Sequence, residues 1–528
     1  MPEMARVRHA AALAVLFGLL VALSGCGSQP GPSFDIVSGS ENQPLEALVQ
    51  EFCKERRATC KMTYQGSLDI GLGLRPGQDV KYDAVWPASG IWIAMFDSGR
   101  RVSALKSISQ SPVVLGVRSS KAEALGWTKA PVAMADILAA VESGKLRFLM
   151  TSATQSNSGA SAYIAMLSAA LGSKAVITES NLSGASADLA ARLLRGVERS
   201  SGSSGWLADL YLSSAEKGVV YDAMWNYEAV IKEANDKLRG AGRELLWAVY
   251  PSDGVSMADS PLGFVERGRG PEVKQFFDDL QAWLLSSAGQ ARIAATGRRV
   301  PADRAAPAKP EPDWNFDPQR LVTAVPMPEP EVIRKALVLY QEALRRPSLS
   351  VLCLDFSGSM KGDGESALQR AMEFLLTPER AAEVLVQWSP RDRIIVLPFN
   401  GQVINAWEGT GQPADQMKIL EGVRTMHADG GTDMYACATE GLRRMQALAG
   451  MQDYLPAIFV LTDGRSDGDP EAFVNGMSAG ERAVPIFGIT FGDADRGQLD
   501  AIAKASGGRV FDGTKDLTGA FRSARGYN

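Results

Sequence analysis

A chain of 528 residues is too long for one ordinary core, and a length prior of roughly 150 residues per unit predicts about three folding units. Hydrophobic residues make up 45% and charged residues 22%, the balance of a folded chain, which excludes global disorder and collagen-like repeats. The 55 Lys plus Arg against 60 Asp plus Glu leave a net charge of -5, no basic excess for a phosphate backbone, and two histidines, His9 and His427, leave little for histidine-based hydrolysis or zinc binding.

The chain opens with Arg6 and Arg8, an apolar run over 10–23 (AAALAVLFGLLVAL), then Ser24, Gly25 and Cys26. The run is too short for a helix across a bilayer, which needs about 20 residues, and reads as an export signal over 1–25. Its end, Leu-Ser-Gly-Cys, resembles the lipobox of bacterial lipoproteins. That resemblance implies acylation of Cys26 and a chain held by lipid outside the cytoplasm, with 26–33 as a short Gly/Ser/Pro tether. Exported chains can hold disulfides. Cys53 and Cys60 flank a predicted helix end and the next strand, so a bridge across that corner is geometrically open. Cys353 and Cys437 fall in a predicted strand and helix and read as buried free thiols.

Between 34 and 300, short apolar strands (FDIV, CKMTYQ, SPVVLGV, RFLMTS, KGVVYD) alternate with amphipathic helices. Alternation predicts α/β architecture with parallel sheets, and the length predicts two lobes around a cleft. Ser38-Gly39-Ser40, 83–89 (DAVWPAS), 111–117 (SPVVLGV), 154–161 (TQSNSGAS), 221–228 (YDAMWNYE) and 250–254 (YPSDG), in this order, resemble a type II periplasmic solute-binding protein. The resemblance implies lobes joined by crossing strands, here 111–117 and 247–250, and a ligand between them. Ser40, Ser156, Asn157 and Ser158 stand in Gly-containing turns between a strand and a helix, where hydroxyls and free backbone N–H groups could receive an oxyanion, or could simply cap those helices, and Ser89, in the DAVWPAS piece of the resemblance, is a further cleft candidate. Tyr227 and Glu228, with Trp86 and Trp225, could instead line a pocket for an amine or another organic solute.

Proline and charge replace periodicity over 301–330, and 301–346 reads as a linker, either a semi-rigid spacer or a strap along a domain surface. From 347 to 528 continuous apolar runs return: 349–354 (LSVLCL), 393–399 (RIIVLPF), 457–461 (AIFVL) and 484–490 (VPIFGIT). Such runs are strands buried on both faces of a doubly wound sheet, whose ligand crevice lies beyond the strand carboxyl ends. There stand Asp355-Phe356-Ser357-Gly358-Ser359, Gly430-Gly431-Thr432 and Thr462-Asp463-Gly464. Few carboxylates among hydroxyls suit Mg²⁺, with Mn²⁺ and Ca²⁺ as alternatives. The set resembles the metal-ion-dependent adhesion site of von Willebrand factor type A domains. It implies a Rossmann-like fold and Asp355, Ser357, Ser359, Thr432 and Asp463 around a metal that receives a carboxylate from a protein partner. Asp433 is expected to support the Thr432 loop, Asp467 and Asp469 to be solvated, and His427 to be a surface or packing residue.

No phosphate-binding loop is present: Gly144-Lys145 is followed by Leu146, with Ala139 where the first glycine would stand. The chain is therefore expected to bind rather than catalyse. Two readings remain. In one, a lipid-tethered adhesion factor grips a partner while its first half senses or presents a small molecule; in the other, a solute receptor for a transporter carries an accessory docking domain.

Overall fold

A computed structural model of the protein describes residues 31–172, 175–216, 218–492 and 495–526. The export signal and Cys26 lie outside the described residues. In chain order the first strands are β1 (Ser33–Gly39), β2 (Thr59–Gln65), β3 (Ala84–Trp86), β4 (Val102–Ser107), β5 (Ser111–Arg118) and β6 (Phe148–Thr151). There follow β7 (Val197–Ser201), β8 (Ala223–Tyr227), β9 (Leu246–Val249), β10 (Met257–Ala258) and β11 (Pro261–Val265). One lobe is the sheet β2-β1-β3-β11-β4; the other is β10-β5-β8-β6-β7, with β9 paired to β5.

The expectation of parallel sheets holds only in part. β1 runs parallel to β2 and β3, whereas β11 is antiparallel to β3 and β4, and β5 is antiparallel to β8 and β9. The chain leaves the first lobe between β4 and β5 and re-enters between β10 and β11, so returning strands arrive reversed. The crossings are thus Ser107 to Ser111 and Ala258 to Pro261. The expectation that 111–117 and 247–250 cross is corrected: β5 and β9 both lie in the second lobe, where Trp247 pairs with Val117.

Cys53 and Cys60 are joined, with 6.1 Å between their Cα atoms. The stretch after the second lobe is a strap rather than a free spacer. Trp314 and Phe316 are fully buried with rings stacked at 4.7 Å, Arg239 reaches Glu311 and Asp313, and Val255 bridges Ala324. Its end is helical, Pro330–Leu339 continuing through Tyr340–Leu344, with Ile333, Ala336 and Leu337 on the buried side.

The last unit has β12 (Ser348–Asp355), β13 (Arg393–Phe399), β14 (Trp407–Thr410), β15 (Leu455–Thr462), β16 (Ile486–Thr490) and β17 (Val510–Asp512), ordered β14-β13-β12-β15-β16-β17. All neighbours are parallel except the edge pair β13 and β14. β12 is buried at every position because helices cover both faces, which is why it reads as an unbroken apolar run. Cys353 and Cys437 are joined, not free: the strand face carrying Cys353 packs on the helix Met434–Ala447, leaving 6.0 Å between the two Cα atoms.

This unit touches both lobes. From the helix Leu517–Arg525, Arg522 pairs with Asp69 of the first lobe at 2.5 Å, and its carbonyl accepts from the Gln155 side chain of the second. Ser200 donates to the Gly526 carbonyl at 3.0 Å, and Arg509 lies over Trp206 at 3.8 Å.

Candidate functional site

Parallel register sets Leu354 beside Leu461, so β12 and β15 deliver Asp355 and Asp463 to the same edge of the sheet. Past that edge the chain turns sharply. The Asp355 carboxylate takes the Ser357 N–H at 2.8 Å and the Thr462 hydroxyl at 2.5 Å. The Ser357 and Ser359 hydroxyls lie 3.1 Å apart, and Ser359 donates to Asp463 at 2.9 Å. Thr432 arrives on a third loop, which is stitched to the first by the Gly358 N–H on the Gly430 carbonyl at 2.9 Å. A β-carbon on Gly464 would stand 3.2 Å from the Ser359 hydroxyl and 3.6 Å from that of Thr432, so both hydroxyls converge on one glycine. All five oxygen-bearing side chains expected from the sequence thus meet at one sheet edge.

Asp355 and Ser357 are buried while Ser359 is exposed and Asp463 half-buried, so the cluster opens to solvent on one side. Burial, with the charge of Asp463 added, pushes the Asp355 carboxyl above its ordinary range, against the hydrogen bonds from Thr462 and Ser357. No basic side chain among the described residues forms an ion pair with Asp355. Two carboxylates among three hydroxyls are a hard oxygen set that fits a small divalent cation, which would offset the repulsion that burial amplifies. No group of three His, Cys, Asp or Glu able to hold a metal occurs among the described residues.

Two supports escaped the sequence reading. Thr462 is buried and orients Asp355. Asp467, expected to be merely solvated, accepts the Thr432 N–H at 3.3 Å and returns its own N–H to the Thr432 carbonyl at 2.8 Å. Asp433 caps the helix that follows Thr432, through Tyr435 and Ala436 N–H at 3.0 Å each, and Asp469 caps Pro470–Gly476. His427 is exposed and faces Glu365 at 3.3 Å.

In the first half, the lobes meet directly. Ser40 donates to Ser203 at 2.8 Å and accepts the Gly205 N–H at 2.9 Å; Asn157 joins Trp92 at 2.8 Å to Tyr227 at 3.0 Å. Ser156 and Ser158 bond to each other, and Ser158 to Thr151. Ser89 receives the Ile91 N–H at 3.4 Å at the start of its helix. Trp86 and Trp225 are core residues, Trp86 donating to Ser260 and Trp225 packed edge-on to Phe148. Glu228 does not face the cleft: Arg299 grips it with two bonds of 2.8 Å and Tyr250 donates at 2.6 Å. The interlobe acid is Glu41, which the sequence reading passed over. The room left beside it is about 20 Å³, lined by Glu41, Asn42, Ser109, Ser111, Tyr227 and Arg298 among others.

Comparison with known proteins agrees with this division. A family model described as bacterial extracellular solute-binding protein matches residues 36–299, and one described as von Willebrand factor type A domain matches 351–519. No curated protein matches the chain. Among solved structures, a von Willebrand factor type A protein from Catenulispora acidiphila is 18% identical over 35% of this chain and 43% of its own, with a TM-score of 0.30. This chain therefore spans less than half of that protein. The periplasmic binding protein AfuA from Actinobacillus pleuropneumoniae, with fructose-6-phosphate bound, is 14% identical over 57% of this chain and 93% of its own, with a TM-score of 0.40. Iron-bound HitA from Pseudomonas aeruginosa is 14% identical over 58% and 97%, also with a TM-score of 0.40. No helix among the described residues is long and apolar enough to cross a membrane. The first match covers half of the chain, which therefore belongs to the bacterial extracellular solute-binding protein family and carries a von Willebrand factor type A domain behind it.

Proposed function

We propose that this extracytoplasmic protein captures a protein partner by way of a divalent cation, Mg²⁺ in first place, at Asp355, Ser357, Ser359, Thr432 and Asp463. The observation that carries the reading is the convergence of those five side chains from three loops at one solvent-facing edge. The cation would supply a positive centre for an acidic side chain of the partner; Thr462 and Asp467 hold the loops that present its ligands. Acylation of Cys26 would fasten the chain to a membrane. The solute-binding half senses or presents a small molecule in its interlobe cleft, and no step of this action is catalytic.

Capture from solubilised bacterial membranes, with Mg²⁺ or with EDTA, tests the reading. Asp355→Ala should lose the chelator-sensitive partner while unfolding as cooperatively as the parent. Capture indifferent both to EDTA and to this substitution overturns it.

A further inference from the structure

The interlobe space is lined by a carboxylate with one oxygen outside any hydrogen bond. Glu41 is 9% exposed; its Oε2 accepts the Ser204 hydroxyl from the opposite lobe at 3.1 Å, while its Oε1 is buried without a hydrogen-bond partner. A β-carbon on Gly39 would stand 1.9 Å from that Oε1, so the carboxylate is folded back on the end of β1, in the turn where the sequence suggested an anion could rest. Arg298 lines the same space but is committed elsewhere: its guanidinium donates to Glu233 at 2.8 Å, to Thr296 at 2.7 Å and to the backbone carbonyl of Glu41. The hydroxyls and amides that would have received an oxyanion are spent on one another, Ser40 on Ser203 and Asn157 on Tyr227. An oxyanion here would meet a carboxylate and few free donors. A protonated amine would meet a carboxylate oxygen outside any hydrogen bond and offset part of the cost of burying it.

Resting on the reading of the cleft as a solute site, we infer that it selects a small protonated amine, whose N–H groups donate to Glu41 Oε1. The room of about 20 Å³ accommodates one water-sized group, the size of an ammonium head, and a longer amine requires the lobes to part.

Thermal shift and calorimetry on the full chain decide the matter, at matched ionic strength, with methylamine, ethanolamine and putrescine against phosphate, sulfate and molybdate. The amines should raise the melting temperature with concentration, the anions should not, and Glu41→Gln should weaken amine binding at least tenfold. Cooperative thermal unfolding of Glu41→Gln without ligand, at a melting temperature no lower than that of the parent, guards against a fold defect in that variant. A shift from the anions alone, or amine binding equal in wild type and Glu41→Gln, overturns the inference while leaving a working solute cleft. A blank across both sets overturns the inference and the solute reading together.

Discussion

Cys353 and Cys437 are joined beneath the candidate metal site, one two residues ahead of Asp355 and the other five beyond Thr432. The bond therefore ties the strand that delivers the first loop to the helix that follows the third. Both cysteines are fully buried, and the bridge closes a separation of 84 residues, against 7 for Cys53 and Cys60. In the chain-entropy account the longer loop contributes about 4 to 5 kcal/mol and the shorter about 2 kcal/mol. Replacing Cys353 and Cys437 together by Ala should thus cost roughly twice what the other pair costs in denaturant unfolding. It should also weaken Mg²⁺ binding measured by calorimetry, whereas Cys53→Ala with Cys60→Ala should leave that binding unchanged.

Glu228 and Arg299 make a second, testable tie. Glu228 has no exposed side-chain surface, and Arg299 also donates to the carbonyls of Arg320 and Asp317, so the pair fastens the strap to the second lobe. Removing one partner strands a buried charge, and Arg299→Ala should cost about 3 to 5 kcal/mol in urea unfolding. Glu228→Leu combined with Arg299→Met should recover much of that loss, because the apolar pair carries no desolvation penalty. A double variant as unstable as the single one would refute this account.

The contrast between Glu228 and Glu41 marks how far the sequence could be read. Strands buried on both faces announce themselves as apolar runs, and the residues just past them, Asp355 and Asp463, were therefore placed without coordinates. Glu228 was visible as an acid beside aromatic residues, but its partner stands 71 positions away and turns it from the cleft. Glu41 carries no local signal; its hydrogen-bond partner Ser204 stands on the other lobe, 163 positions distant. The Cys353–Cys437 bridge was missed for the same reason, since pairing follows from which helix covers which strand face, and composition is silent on that. The reversal of β11 follows from the double crossing between lobes, which no local pattern records.

Arg522 and Asp69 couple the von Willebrand unit to the first lobe, with side chains 16% and 9% exposed. Burial raises the Asp69 carboxyl, and Arg522 acts against that rise. A charge-assisted bond in such a setting contributes about 2 kcal/mol. Arg522→Ala should lower the melting temperature and speed amide exchange in 517–525 and 67–72. The Asp69→Ala, Arg522→Ala double variant should lose less than the two single losses added, the signature of direct coupling. Strict additivity would show that the two residues act apart.

Glu41 predicts how stability depends on pH. Burial pushes its carboxyl up to about 7 from 4.5; its own backbone N–H, the Ser204 hydroxyl and the charge of Arg298 oppose that rise and Glu233 adds to it, while the Tyr227 phenol, facing Glu41, is itself driven up by burial. A raised acid pKa means the folded chain binds a proton that the unfolded chain has released. The stabilisation is therefore fully present below about 4.5 and is lost as pH rises through about 7, a change of about 3 kcal/mol at 1.36 kcal/mol per unit. Other carboxylates titrate alike in wild type and in Glu41→Gln, so the difference between the two isolates this group. The melting temperature of wild type relative to Glu41→Gln should fall between pH 5 and pH 8, in buffers free of amines. A difference that stays flat across that range would place the Glu41 carboxylate in contact with water and remove the reason for an amine to seek it.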